Sequence, residues 1–323
     1  MRFSANSLKI LLCLPLLLPC RGADAVSPTD FPWQSATPQA LVQTSVQPDR
    51  VLNETPCDWR PVLTPLAAKL VQDCRTPREA VLTMAAKLPE ATGVYYSIER
   101  RKACMNALEA LEEKKVSCTG QTILLVCALR AVGIPARAVG IATWNHVLGN
   151  HTWAEAWFDG EWHMIEFNER DFNTPWVMEN IGMTDPREIT QRIVAATPQG
   201  KVPYITVLLA DKQLVPAEDV TERYHALSRA WYEQAGLPAD QQRLMVELSP
   251  RPTATITARV TDAEGNEISA APLPTDKDDV RAFARLTLPR EGKFFLQIEG
   301  SDRQLPLTPT AEPVQVLRLE QAH

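Results

Sequence analysis

The chain has 323 residues, of which 45% are hydrophobic and 22% charged, and its formal net charge is -6 at pH 7. This composition is typical of a globular protein that is large enough for one sizeable core and a smaller domain. Because the sequence has neither a net positive charge nor a basic stripe, it argues against nucleic acid as a partner. The sequence also lacks glycine-rich phosphate loops and zinc-ligand spacings, so we expect no cofactor and no metal site.

The first 25 residues are predicted to be a signal peptide. Two cations precede an apolar run at 10–18 that is too short to span a bilayer, and residues 23–25 form a small-x-small cleavage pattern. Lipoprotein anchoring at Cys20 is the less favoured alternative, because Pro19 directly precedes that cysteine. Since no later segment is long and apolar enough to be a transmembrane helix, we expect a secreted or periplasmic protein that is soluble after export.

The next segments are predicted to be a lead-in followed by helices. Residues 26–58 are rich in Pro, Ser, Thr and Gln, which indicates an extended, loosely packed stretch. Apolar positions at three- and four-residue steps then predict helices at 63–72, 77–87 and 98–114. Thr76 and Pro77 are suited to the cap and first turn of the second helix.

The central part of the sequence predicts one buried helix and a group of strands. Residues 119–132 are apolar nearly all round, and Gly133 followed by Ile-Pro is a stop signal. A short β-branched strand is expected at 136–142. Two further strands, at 151–158 and 161–168, are expected to form a hairpin.

The register of this hairpin follows from its turn, the Asp-Gly pair at 159–160, which is a strong two-residue turn signal. The turn would pair Trp153 with Glu166 and His151 with Asn168. Because side chains alternate along a strand, these four would share one face of the sheet.

The remainder predicts a strand at 202–209, an amphipathic helix at 216–235 and a series of short strands after Pro250. The helix carries Tyr224, Leu227, Trp231 and Tyr232, and its aromatic residues are expected in the core. We therefore expect two domains after the lead-in, at 59–245 and 250–323, the second of them a small β-sandwich.

Five cysteines remain after the predicted cleavage: Cys57, Cys74, Cys104, Cys118 and Cys127. In an oxidising compartment, four could form two bridges while one stays free, or one bridge could form and leave three thiols. Cys57 and Cys74 flank a short predicted helix and are the first pair to test as a disulfide.

Cys118 and His151 are the candidates for thiol chemistry. A cysteine in the first turn of a helix meets unpaired backbone N–H groups and the positive end of the helix dipole, which favour the reactive thiolate. An adjacent His151 would lower the thiol pKa further and act as the base. The alternative for any cysteine is a buried, inert side chain or half of a disulfide, and Cys127 in the helix interior fits that description.

Two side chains are candidates to orient the imidazole of His151. Glu166 would lie diagonally across the hairpin from His151, and Asn168 directly opposite it. Either could accept a ring N–H and so leave the other nitrogen to work on the sulfur. Glu169 points to the opposite face in the predicted register.

The run SCTGQTILLVCALRAVGIPARAVG followed by NHTWAEAWFDGEWHMIE resembles the core of the transglutaminase-like superfamily over about 55 residues. The resemblance implies a papain-like α+β fold for 59–245, in which a cysteine at the start of a central helix packs on an antiparallel sheet that carries the histidine and the acid. It further implies Cys118 as nucleophile and His151 as general base.

Glu166 stands where the family usually has Asp, so this chain departs from the pattern there. Asn168 would give a Cys-His-Asn arrangement instead, and some secreted relatives carry an acid at the position of Glu169. Trp144 and Asn145, in the loop before the hairpin, are the candidates for substrate binding at the oxyanion.

The expected function is that of an exported cysteine enzyme that acts on peptide or carboxamide bonds of a protein or peptide substrate. A thioester on Cys118 would react with water, which makes the enzyme a peptidase or amidase. With an amine as acceptor, it would instead be a protein-glutamine amine transferase that crosslinks proteins. A noncatalytic binding or scaffold protein that retains the fold is the alternative from another class.

Overall fold

The computed structural model describes residues 31–144, 149–204, 214–278 and 282–320. The predicted signal peptide and Asn145 lie outside these ranges. The helices are α1 Gln39–Ser45, α2 Arg60–Val71, α3 Pro77–Thr92, α4 Ala107–Glu113, α5 Cys118–Ala131, α6 Pro175–Gly182 and α7 Thr221–Gln234. The strands are β1 Tyr95–Tyr96, β2 Lys115–Val116, β3 Ala136–Ile141, β4 His151–Phe158, β5 Glu161–Ile165, β6 Ile193–Ala196, β7 Val202–Pro203, β8 Pro216–Asp219, β9 Gln241–Ser249, β10 Thr257–Asp262, β11 Glu267–Pro272, β12 Ala284–Pro289, β13 Phe294–Ile298, β14 Gln304–Leu307 and β15 Val314–Glu320.

Helix α5 and an antiparallel sheet of order β5-β4-β3-β6-β8-β7 form the centre of the larger part. The helix is apolar all round because other elements cover it on every side, and Ile123, Leu124 and Leu125 have no exposed surface. It ends where Gly133 adopts a φ of 77°, a left-handed conformation that glycine adopts without strain. The predicted α+β class and the buried central helix are confirmed.

Different elements cover the two faces of this sheet. Ala154 and Ala156 of β4 belong to the apolar core that contains helix α5, whereas Trp153 belongs to a second core with residues of α6 and α7. The alternation of side chains along β4 therefore separates a face of small residues from a face of large ones. His151, at the start of β4, lies where the strand enters the sheet.

The predicted lead-in is wrong from residue 31 onward, because it is packed rather than loose. Helix α1 lies within it, and Trp33 is buried. The indole N–H of Trp33 donates to the Val132 carbonyl at 2.9 Å, and the buried Arg130 donates to the carbonyls of Pro48 and Arg50, each at 2.9 Å. These contacts attach the segment to the end of helix α5.

The N-terminal helices begin at caps, and one of these caps corrects a prediction. Thr76 accepts a hydrogen bond from the Glu79 N–H at 3.2 Å and starts α3, as expected. The helix predicted at 98–114 begins only at Ala107, because the Asn106 side chain accepts from the Glu109 N–H at 2.9 Å.

The helix predicted at 216–235 is also shorter than expected. Residues Pro216–Asp219 form strand β8, which pairs with β6, and the helix begins at Thr221. Tyr224 and Tyr232 are buried and Trp231 is partly buried against the core, as predicted for the aromatic residues, and Leu227 packs beside them. Of the strand predicted at 202–209, Val202–Pro203 is observed, and residues 205–209 lie outside the described ranges.

The C-terminal part consists of two sheets, of order β11-β10-β13-β14 and β12-β9-β15. Both sheets contribute to one apolar core, which makes this part a β-sandwich. Strand β9 begins at Gln241, before the predicted start at 250, and its alternate residues Leu244, Val246 and Leu248 are buried in that core. Met245 faces the other way and packs with Tyr232 of α7.

Among the residues that the structure describes, no helix is both long enough and apolar enough to cross a membrane.

Candidate active site

Cys118 is the first residue of helix α5, and Ser117 is its N-cap. The Ser117 hydroxyl oxygen accepts a hydrogen bond from the Gly120 N–H at 3.0 Å, while the hydroxyl itself donates to the Ala103 carbonyl. Both bonds hold the start of the helix in place, so the sulfur lies at the positive end of the helix dipole.

Two threonines of α5 fix the helix against strand β4. Thr119 and Thr152 share a hydrogen bond between their hydroxyl oxygens at 3.0 Å, and the Thr122 hydroxyl donates to the Thr152 carbonyl at 3.0 Å. Because Thr152 directly follows His151, these bonds set the distance between the cysteine and the histidine. They explain why an otherwise apolar helix carries buried hydroxyl groups along one edge.

The structure brings Cys118, His151 and Glu166 together in one hydrogen-bonded chain. His151 Nε2 lies 2.6 Å from Glu166 Oε1. The Cys118 thiol is hydrogen-bonded to the same imidazole, for which Nδ1 is the remaining ring nitrogen. The second carboxylate oxygen of Glu166 accepts a hydrogen bond from the Thr174 hydroxyl. The imidazole is thus held between a sulfur and a carboxylate.

The pKa values of all three groups favour their charged forms. Burial raises the pKa of the Cys118 thiol, but the hydrogen bond and charge of His151, with N–H groups of Thr152 and Thr119, outweigh it and lower the pKa overall. Burial lowers the pKa of His151, but Cys118 and Glu166 raise it to about 9.

The carboxylate behaves in the same way. Burial raises the pKa of Glu166, and the hydrogen bond and charge of His151, with the Thr174 hydroxyl, lower it overall. The arrangement therefore favours a thiolate, an imidazolium and a carboxylate in contact. A thiolate is the nucleophilic form of cysteine.

The hairpin reaches this geometry with the predicted turn but a shorter ladder. Asp159 and Gly160 have φ values of 51° and 89°, and Trp157 pairs with Trp162 as expected. The ladder ends at the pair of Ala154 and Ile165, so the pairs predicted beyond it, Trp153 with Glu166 and His151 with Asn168, do not form. Glu166 still reaches His151 diagonally, because its side chain is long enough to span the gap.

Asn168 is not placed opposite His151. It has a φ of 72°, is exposed, and its N–H donates to the Ala85 carbonyl of α3 at 3.0 Å, so the chain has left the sheet there. Glu169 is also exposed, and its pKa is raised by partial burial and then by the negative charges of Glu166 and Asp171. A carboxylate paired with the imidazolium would have a lowered pKa instead.

Three indole rings surround the imidazole of His151. The ring centroid of the imidazole lies 6.1 Å from that of Trp144, 5.7 Å from that of Trp153 and 4.8 Å from that of Trp176. Trp144, a predicted substrate-binding residue, is buried and stacks on Trp153 at 6.4 Å. Asn145, the other, lies outside the described residues.

Thr174 and Trp176 were missed by the sequence analysis. Both lie at the start of α6, after the matching motif ends, and they contact the site from a loop that has no periodic pattern. Thr174 completes the hydrogen bonding of Glu166, and Trp176 meets the imidazole edge-on, with an angle of 84° between the rings. No spacing rule in the sequence identifies either residue.

Behind the site lies a buried carboxylate that the sequence analysis also missed. The Trp153 indole N–H donates to the Tyr224 hydroxyl oxygen at 2.7 Å, and the Tyr224 hydroxyl donates to Glu155 at 2.7 Å. Glu155 also pairs with Arg137 at 2.8 Å and with Arg223. Burial raises the pKa of Glu155, but the two guanidinium groups lower it overall, so the carboxylate stays charged. The network attaches α7 to the back of Trp153.

The cysteines within the described ranges form no disulfide, so the Cys57–Cys74 bridge is not present. The two sulfurs have different neighbours: Cys57 accepts from the backbone N–H groups of Leu108 and Ala107, and Cys74 lies 3.5 Å from the Thr83 hydroxyl. Cys118 is accordingly not part of a bridge. In the same ranges, no group of three or more His, Cys, Asp or Glu side chains is arranged to hold a metal ion.

Comparison with known proteins gives one family match, which covers part of the chain. Residues 64–167 match the model of the transglutaminase-like superfamily, and no curated protein compared with the chain matches it. Three solved structures are similar. Red sea bream transglutaminase has 12% identity and a TM-score of 0.41, and the match covers 86% of this chain and 66% of that chain. A candidate cysteine protease from Cytophaga hutchinsonii has 20% identity and a TM-score of 0.35, with 42% of this chain and 44% of that chain covered, and the periplasmic domain of TgpA from Pseudomonas aeruginosa has 21% identity and a TM-score of 0.27, with 35% and 45% covered in the same order. The chain thus spans 44 to 66% of the length of these proteins. The match to the transglutaminase-like superfamily therefore covers the part of the chain that contains helix α5 and the hairpin of β4 and β5.

Proposed function

We propose that the protein is an exported cysteine enzyme that cleaves peptide or carboxamide bonds in protein or peptide substrates. The observation that carries the proposal is the hydrogen-bonded chain of Cys118, His151 and Glu166, with the short 2.6 Å contact between His151 and Glu166. A nucleophile, a base and an orienting carboxylate in contact are what acyl transfer by a thiol requires.

The mechanism follows from which ring nitrogen faces which partner. The Cys118 thiolate attacks the carbonyl carbon, and His151 donates the Nδ1 proton to the departing amine, which leaves an acyl thioester on the sulfur. Glu166 accepts the Nε2 hydrogen bond throughout, so it keeps the ring oriented and stabilises its positive charge. Water then attacks the thioester with its proton passing to His151, and the thiolate leaves.

Hydrolysis is the proposed second half of the reaction because part of the site is accessible to solvent. The side chains of His151 and Glu166 are 15% and 16% exposed, and Cys118 is not fully buried. Water can therefore reach the imidazole that would activate it. An amine acceptor would use the same thioester and give a crosslinking transferase, so the test below includes one.

Export is supported by the leader pattern alone. The basic start, the apolar run at 10–18 and the small residues at 23–25 lie outside the described residues. A thiol enzyme in an oxidising compartment needs a cysteine that stays reduced, and Cys118 is not in a disulfide.

The test combines a quenched-fluorescence peptide library with a labelled primary amine, and it includes iodoacetamide labelling of Cys118 followed by intact-mass measurement. We expect cleavage of peptides and labelling of Cys118 well above the rate for N-acetylcysteine at neutral pH. Incorporation of the amine without cleavage would identify a transferase instead. Labelling of Cys118 at the rate of N-acetylcysteine, with neither reaction, would favour a noncatalytic protein and overturn the proposal.

A further inference from the structure

Trp176 differs from the other two indoles around His151 in its exposure. Trp144 and Trp153 are buried at 5% and 1% exposure, whereas Trp176 is 38% exposed. Its ring stands perpendicular to both the His151 imidazole, with centroids 4.8 Å apart, and the Trp144 indole, 5.6 Å apart. One aromatic surface beside the candidate base is therefore open to solvent.

The position of Trp176 is fixed by its surroundings. It follows Pro175, the first residue of α6, and Val177 and Met178 after it are fully buried in the core beneath. Two residues earlier in the chain, the Thr174 hydroxyl donates to Glu166. Since the residues on both sides of Trp176 are anchored and its ring contacts those of His151 and Trp144, the indole forms one wall of the site.

A large exposed aromatic ring on a rigid element is a feature of binding sites, because the apolar surface gains free energy only when a ligand covers it. A substrate whose leaving nitrogen reaches His151 comes within reach of this ring, because the ring centroids of Trp176 and His151 are 4.8 Å apart. The surfaces of the other two indoles beside the imidazole, Trp144 and Trp153, are already covered by the protein.

We propose that Trp176 forms an apolar subsite for the substrate side chain next to the carbonyl that Cys118 attacks, and that it selects aromatic or large aliphatic residues there. The inference rests on the proposed function, since it needs a peptide acyl group at Cys118. The subsite specifies the class of substrate side chain, which the hydrogen-bonded group of Cys118, His151 and Glu166 does not determine.

The experiment uses two peptidyl chloromethyl ketones that differ only in the residue next to the reactive carbon, alanine in one and phenylalanine in the other. The Cys118 thiolate displaces chloride and forms a carbon–sulfur bond, and intact mass follows the rate. Labelling thus reports the subsite without any need for turnover or for a particular acceptor. Iodoacetamide, which has no side chain, is measured on the unaltered protein.

We expect the unaltered protein to react faster with the phenylalanine reagent by on the order of 10-fold, as is usual for selection by an apolar pocket. Trp176→Ala should bring the ratio of the two rates close to one, and Trp176→Phe should give an intermediate ratio. Ile268→Ala is the matched control, since Ile268 is 41% exposed in strand β11 of the β-sandwich, and it should leave the ratio unchanged. Circular dichroism of each variant checks that it is folded.

Two results separate the failure of this inference from that of the proposed function. Fast iodoacetamide labelling together with a phenylalanine preference that Trp176→Ala leaves intact, or no preference at all, overturns the subsite and leaves the thiol chemistry standing. Labelling by iodoacetamide at the rate of N-acetylcysteine overturns the proposed function and the subsite with it.

Discussion

Helix α5 carries two cysteines, Cys118 and Cys127, and their surroundings shift the pKa values of the two thiols in opposite directions. Burial raises the pKa of both. At Cys127, in the helix interior, the pKa stays far above its ordinary value, since the charge of Arg130 offsets burial only in part. At Cys118, the first residue, His151 and backbone N–H groups outweigh burial and the pKa falls. The reactivity of a thiol on this helix thus depends on the helix end and one imidazole, and not on burial itself.

The strongest test of this difference removes each sulfur in turn. Cys118→Ser should lower peptide turnover by at least about 10⁴-fold, because nucleophile substitutions in such catalytic groups have effects of this order. Cys127→Ala should keep turnover within about a factor of two. Cys127 is buried in the helix interior, away from the candidate site, so its removal should not change the chemistry there. Turnover of the same quenched peptide measures both. Equal losses in the two variants would mean that Cys118 has no special role.

A second test removes the imidazole of His151, which makes the pKa values of the two thiols differ. His151→Ala should raise the pKa of the Cys118 thiol, since burial is then opposed by the backbone N–H groups alone, so that iodoacetamide labelling at about pH 6 falls by on the order of 100-fold. The direction follows because a lowered thiol pKa keeps the thiolate present at low pH, and loss of the imidazolium removes it. The rate of labelling against pH, followed by intact mass, is the measurement. A profile that is the same in both proteins would exclude His151 as the partner of the sulfur.

A third test addresses the orienting carboxylate. Glu166→Gln should lower turnover by about 10- to 100-fold, less than loss of the nucleophile. Glu166 raises the pKa of His151, which stands at about 9, so activity that needs the imidazolium is lost as pH rises through that value. Removing the carboxylate charge should therefore move the alkaline limit of turnover to lower pH.

Asn168→Ala is the matched control for Glu166→Gln, because Asn168 lies on the same arm but is exposed and outside the ladder. It should change neither turnover nor the alkaline limit by more than about twofold. If Asn168→Ala is the more damaging of the two, Glu166 is not the orienting group. Steady-state rates between about pH 5 and 10 decide between these outcomes.

The parts of the site that could be predicted from sequence are those fixed by local chemistry. Helix α5 has a capping serine, a continuous apolar body and a glycine stop, so both ends were predictable within one residue. The Asp159-Gly160 turn requires two positive φ values, and it fixed the register that brings Glu166 to the side of His151.

The parts that could not be predicted depend on distant partners. The ladder stops at Ile165 because the following chain bonds to helix α3 through Asn168 and Ala85, and nothing within the hairpin signals this. Trp33 was assigned to a loose lead-in, yet its indole bonds to Val132 about 100 residues away along the chain. Trp176 reaches the imidazole only because α6 packs on the sheet.

The smallest expected effect concerns the stability that the buried Cys127 contributes in the interior of helix α5. Cys127→Ala removes one buried sulfur from a packed core, which should lower the free energy of unfolding by about 1 kcal/mol. Cys57→Ala, at a partly exposed sulfur, should cost less, and urea unfolding compares the two. In the unaltered protein, iodoacetamide should reach Cys127 only as fast as the core opens, so its labelling rate should rise with urea while that of Cys118 does not. Rapid labelling of Cys127 in the absence of urea would show that burial does not protect this thiol, and the contrast between the two cysteines would be lost.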